Sequence, residues 1–205
     1  MDRFADVKNH FYDERELMLK NGKLSDALQV YFLDAERCCS KKAYWCLLHV
    51  IVCLPDICTA LESNDGKATG DKYRKWCNRY FRHQFLNGAE RYEMRCKLLH
   101  QGRARTKATI RYSRFEFGQP ASSGHCDHMR VDGKTLHVDV TNLYGETRIA
   151  IREWVKDMES GPNSQRATNV ARHLTSLVTV ANKQVTTGVS GGPIPIVTTT
   201  YSKTS

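Results

Sequence analysis

Arg95 and His100 stand five residues apart in the segment 90–102, which ends on Gly102. An imidazole near neutral pKa can take a proton from a hydroxyl. A guanidinium can hold a phosphate and stabilise charge growing on its oxygens. Together the two suit metal-free cleavage of RNA, with His100 as base toward the ribose 2′-hydroxyl and Arg95 on the phosphate. Arg91, Lys97, Arg103, Arg105 and Lys107 surround the pair and are candidates for the flanking phosphates. Five steps along a helix turn it by about 500°, so the two side chains leave it about 140° apart. They converge if the arginine curls back, if the last turn loosens, or if a partner helix completes the site. A histidine in a last turn also caps carbonyls as an imidazolium, which is the structural alternative for His100.

The pattern of an Arg followed by a His after four to six intervening residues carries little weight alone, because Arg3/His10, Arg130/His137 and Arg166/His173 fit it too. Charge separates Arg95/His100 from these. The chain has 205 residues and a formal net charge of +9. Residues 67–114 hold 14 of its 31 Lys and Arg but only three of its 22 acids, Asp71, Glu90 and Glu93. The positive balance belongs to this segment: it is a solvated face kept soluble by charge, or it favours an anionic partner, with nucleic acid or a membrane surface first in line. An apolar content of 40% with 26% charged residues excludes a wholly disordered chain, a collagen and a coiled-coil rod. The length suits one substantial core.

The elements that must position the pair read as helices first. Residues 10–20 form a charged helix ended by Asn21-Gly22, and Ser25-Asp26 caps the next, with Leu28, Tyr31, Phe32 and Ala35 at helical spacing. Residues 41–54 are apolar nearly all round, as in the most buried helix of a bundle. Pro55 kinks or ends that helix, and 57–62 carry on as a second piece. A fourth helix starts near Thr69 or Asp71 with Tyr73, Trp76, Cys77 and Tyr80 inward. Asn87 caps a fifth over 89–101, in which Met94, Leu98 and Gln101 share one side. The linker 63–70 is too long for a DNA-reading helix-turn-helix. The period then changes to two over 109–117, a strand, and 129–140 reads as a hairpin turning at Asp132-Gly133. Residues 143–158 return to helix with Ile149, Trp154 and Val155 on the packing side. The organisation expected is one mostly α domain over 1–160, a helical bundle with an inserted strand and hairpin at about 109–140. A C-terminal extension follows over 161–205, a weak helix at 163–181 and then a Thr/Ser/Gly-rich tail.

Eight cysteines are present with no Cys-x2-Cys pair, and the N-terminal stretch lacks a signal peptide's apolar run. Free thiols in a reducing cytoplasm are expected, with no metal and no cofactor. The nearest metal-like cluster, His125-Cys126-Asp127-His128, has no second cluster to complete it. The apolar run 46–54 stops at Pro55 and Asp56, short of the ~20 residues that span a bilayer, so no membrane is expected.

Arg95-Cys-Lys-Leu-Leu-His100 resembles the Arg-x(4–6)-His motif of the HEPN superfamily. The stretch from Leu54-Pro-Asp-Ile-Cys-Thr-Ala-Leu-Glu62, through a helix with Trp76, to Tyr92-x-x-Arg-Cys-x-Leu-Leu-His-Gln-Gly102 resembles one bacterial and plasmid-borne branch of it. The resemblance covers roughly residues 25–105. It implies a helical bundle that dimerises so that two Arg/His motifs face one cleft. It implies a metal-independent endoribonuclease of toxin–antitoxin or phage-defence systems, leaving a 2′,3′-cyclic phosphate and a 5′-hydroxyl. It implies RNA, a second copy of the chain, and an antitoxin or nucleotidyltransferase as partners. Arg95 and His100 take its catalytic positions, and Asp56 and Glu62 are supporting candidates on the preceding helix. Relatives often carry a polar residue directly after the arginine, where this chain has Cys96. That residue keeps a second reading open, a non-catalytic module of the same fold that binds RNA, nucleotides or a partner.

Overall fold

A computed structural model describes residues 23–82, 85–101, 111–119, 127–161 and 164–177, with the side chains of Lys23, His100 and Gln101 excepted. The expected helix at 10–20 and the tail after 177 lie outside the described residues. The first compact unit runs through Leu174 and the second begins at Thr175. The first is a mostly helical bundle with an inserted three-stranded sheet and a C-terminal helix.

Helix α1 (Lys23–Ser40) buries Leu24, Leu28, Phe32 and Ala35, one stripe at helical spacing. It begins ahead of the expected cap. Ser25 is buried inside the first turn, and its hydroxyl donates to Glu159 Oε1 at 3.3 Å. The helix ends with Lys42 at φ 56°, in the left-handed position usually held by glycine. The Ala43 amide reaches back to the Cys38 carbonyl there at 2.8 Å.

Helix α2 (Tyr44–Glu62) is the centre of the bundle, with nine buried residues from Leu47 to Leu61. Pro55 neither ends it nor splits it: the helix is continuous for 19 residues. Among the described residues it is the one helix long and apolar enough to cross a membrane. Its burial against α1 and the helices below is that of a core helix.

Helix α3 (Gly70–Tyr80) follows the sequence reading closely. Thr69 caps it by accepting from the Lys72 amide, and Tyr73, Trp76, Cys77 and Tyr80 are buried. Helix α4 (Gly88–Gln101) starts on a capping box. Asn87 Oδ1 accepts from the Ala89 and Glu90 amides at 3.0 Å each, and Glu90 Oε2 accepts from the Asn87 amide at 2.9 Å. Helices α3 and α4 approach closely at Gly88. Its amide donates to Asn78 Oδ1 at 2.6 Å, and a Cβ there would overlap the Arg74 carbonyl.

The sheet has the order β1-β3-β2. Strand β1 (Arg114–Gly118) runs parallel to β3 (Thr135–Asp139), and β2 (Arg130–Asp132) pairs with β3 antiparallel. The hairpin turn sits one residue later than expected, on Gly133-Lys134, with positive φ at the glycine. Leu136 and Val138 of the central strand are fully buried.

Asp139 then caps helix α5 (Val140–Ser160), its Oδ1 accepting from the Asn142 amide at 2.9 Å. Trp154 and Val155 face the core as expected, but Ile149 is exposed. At 100° per residue it points about 140° from Trp154, off the packing stripe. Helix α6 (Gln165–His173), capped by Ser164, packs mainly on α2 and also on α5. Asn169 Nδ2 donates to the Glu62 carbonyl at 2.9 Å and to Asn64 Oδ1 at 2.8 Å, tying α6 to the end of α2.

Candidate active site

Arg95 lies in the third turn of α4 and reaches α2. Its Nε donates to Asp56 Oδ2 at 2.6 Å, and each side chain keeps about a fifth of its surface exposed. Pro55 faces the core, so the next residue, 100° further round, points outward to α4. This places Asp56, which follows the proline in sequence, under the guanidinium. Burial works against the charge on Arg95, but the Asp56 hydrogen bond and field more than offset it, so the cation is held firmly.

A pocket of about 340 Å³ opens beside this pair. Its walls are Asp56, Ile57 and Ala60 from α2, Ala68, Thr69 and Gly70 at the start of α3, and Tyr92 and Arg95 from α4. Tyr92 stands one turn before Arg95. Its ring packs on Tyr73 at 5.6 Å between centroids, and the Arg74 guanidinium lies 5.0 Å above it. Gly70 makes room for the phenol: a Cβ there would stand 2.7 Å from Tyr92 Cζ. Hydrogen bonding to Cys96 and then burial push the Tyr92 phenol up, so it stays protonated at neutral pH. Cys96 itself lies within 3.8 Å of Arg95 Nη1. The pocket thus offers a fixed cation, a carboxylate, a phenol and an apolar wall. Such a set suits a phosphate ester carrying an organic group.

The other candidates divide. Asp56 lines the pocket with Arg95, and Cys96 touches the Arg95 guanidinium but is not among the pocket's walls. His100 belongs to the last turn of α4, and its side chain lies outside the described residues. The helix remains regular through Gln101, so positions 95 and 100 keep the 140° divergence of a helix. Glu62 is not among the pocket's walls. It accepts from Trp154 Nε1 at 2.7 Å and from Arg166 Nε at 3.2 Å, joining α2 to α5 and α6.

Arg91 also departs from expectation. Its side chain is 2% exposed and bound to Glu146 at 2.9 Å, with the guanidinium 3.6 Å over the Phe81 ring. A cation so enclosed supports the fold and presents no face to a phosphate. Lys97 is largely covered and pairs with Glu93 at 3.8 Å. Arg103, Arg105 and Lys107 lie outside the described residues.

The seven cysteines among the described residues are free. Of the metal-like cluster, Asp127 pairs with Arg130 and His128 with Glu146, while His125 and Cys126 lie outside the described residues. Among the described residues, no three His, Cys, Asp or Glu side chains gather as a metal site would require.

The sequence reading missed Tyr92, Thr69 and Gly70 as pocket residues. Tyr92 was within reach, since a residue three before Arg95 shares its side of the helix. The approach of α3's first turn depends on packing between helices and left no local signal. Searches among known protein families, curated proteins and solved structures match this chain to none of them.

Proposed function

We propose that the chain is a metal-independent endoribonuclease of HEPN type, acting on RNA at the Arg95 pocket as part of a toxin–antitoxin or phage-defence system. The observation that carries the reading is the Arg95 guanidinium held by Asp56 at the mouth of a pocket large enough for a nucleotide fragment. In this reading Arg95 binds the scissile phosphate. His100 takes the proton from the 2′-hydroxyl, whose oxygen attacks phosphorus. The bond from phosphorus to the 5′ oxygen breaks, and that oxygen takes up a proton. A cyclic phosphate and a 5′-hydroxyl result.

One helix turns positions 95 and 100 about 140° apart, so the reading includes a second copy of the chain. Arg95 of one copy then works with the partner's His100. Asp56 is a positioning residue that fixes the guanidinium. Cys96 beside the guanidinium supports a second reading, in which the same pocket binds RNA or a nucleotide without cleaving it.

Cleavage of RNA in EDTA by the wild type, Arg95→Ala and His100→Ala tests the proposal. The expected result is activity in the wild type and none in either variant. Mixing the two inactive variants should restore part of the activity, because mixed dimers rebuild one composite site. Wild-type binding without cleavage would favour the second reading.

A further inference from the structure

The pocket needs a surface that leads RNA to it, and two of the cations first expected to serve are engaged elsewhere. Arg91 is buried against Glu146 and Lys97 is covered beside Glu93. Helix α3 carries further charge: four of its eleven residues, in GDKYRKWCNRY, are Lys or Arg, against one acid. Its inner face is fixed by Tyr73, Trp76, Cys77 and Tyr80, so the outer face is presented rigidly.

Lys75 and Arg79 stand on that outer face, both exposed. They are one helical turn apart, about 6 Å along the axis and 40° round it. Neither makes an ion pair among the described residues; Arg79 lies 5.9 Å from the Tyr80 ring. Arg82 follows just past the helix end, its side chain 71% exposed and 3.2 Å from Glu153. Arg74, about 100° round the helix from Lys75, pairs with Asp71 and covers the ring of Tyr92, a wall of the pocket. Lys75, Arg79 and Arg82 therefore line the outside of α3, with Arg74 on the flank toward the pocket.

Resting on the RNA reading above, we infer that the outer face of α3, with Lys75 and Arg79 at its centre, binds the phosphate backbone of single-stranded RNA leading to the Arg95 pocket. The face carries these cations beside one exposed acid, Asp71, and no exposed aromatic ring, so recognition there is of phosphate and independent of sequence.

The test measures binding of a single-stranded 2′-O-methyl oligouridylate across a salt series. This RNA lacks the free 2′-hydroxyl and is not cleaved. The proteins are the full-length wild type, the double variant Lys75→Ala/Arg79→Ala, and Lys41→Ala as an exposed surface control between α1 and α2. Each contact to a single strand contributes about 0.7 to the slope of log affinity against log salt. The double variant should therefore lose about 1.4 from the wild-type slope, with the control unchanged. A folded double variant with wild-type affinity and slope overturns the inference and leaves the RNA reading standing. A wild type that binds no RNA overturns both.

Discussion

Two arginines one turn apart on α4 should fail in opposite ways. Arg91 is 2% exposed, donates to the Leu86 carbonyl at 3.2 Å and to Glu146 at 2.9 Å, and stacks on Phe81. Removing one partner of a buried ion pair costs about 3–5 kcal/mol, and the low end applies here because His128 still bonds Glu146. Total stabilities run at roughly 5–15 kcal/mol, so Arg91→Ala stands near the limit of folding. For a chain of this length each kcal/mol moves the melting temperature by about 2–4 °C, and Arg91→Ala should lower it by roughly 6–12 °C. Arg95 pairs with Asp56 at 2.6 Å, but both side chains keep about a fifth of their surface in water. Such a pair contributes about 1 kcal/mol, so Arg95→Ala should melt within roughly 4 °C of the wild type while losing RNA cleavage. Thermal and urea unfolding, with cleavage measured on the folded fractions, separates the two. The opposite pattern, Arg91→Ala stable but inactive with Arg95→Ala unfolded, would refute the division of α4 into a structural and a functional arginine.

Other residues give sharper tests of packing and of pH. Gly88→Ala should destabilise the chain by about 1–3 kcal/mol in urea unfolding, because the new methyl meets the Arg74 carbonyl rather than a side chain that can yield. Burial pushes the Glu146 carboxyl up, but the His128 hydrogen bond and the Arg91 charge more than reverse this and hold it below its ordinary value of 4.5. A depressed carboxyl stabilises the fold above its unfolded pKa and loses that contribution as pH falls through the folded one. Wild-type stability should therefore drop between about pH 5 and pH 3, and Glu146→Gln should be less stable at pH 7 with a flatter profile there. Urea midpoints across that range check both statements, and equal slopes would remove Glu146 from the acid response.

The fold was legible where the signal was local. Thr69 before Gly70, Asn87 with Glu90, and the spacing of Tyr73, Trp76, Cys77 and Tyr80 each specify an end or a face within a few residues. Arg91 was also legible in retrospect: on a helical wheel it falls within about 20° of Leu98, on the buried stripe, where a cation needs a buried partner. That partner, Glu146, is 55 residues away and gave no hint in sequence. The same holds for Asp56 under Arg95, 39 residues apart, and for Glu62, whose bond to Trp154 crosses 92. Pro55 misled for a related reason. Local propensity argues for a break, whereas packing along the whole buried length of α2 keeps the helix continuous.

Product termini report most directly on the chemistry assigned to Arg95 and His100. RNA incubated in EDTA with the wild type should yield fragments ending in a 2′,3′-cyclic phosphate and beginning with a 5′-hydroxyl, and Arg95→Ala should yield none. Fragments with 5′-phosphate ends, or equal cleavage by folded Arg95→Ala, would contradict the account.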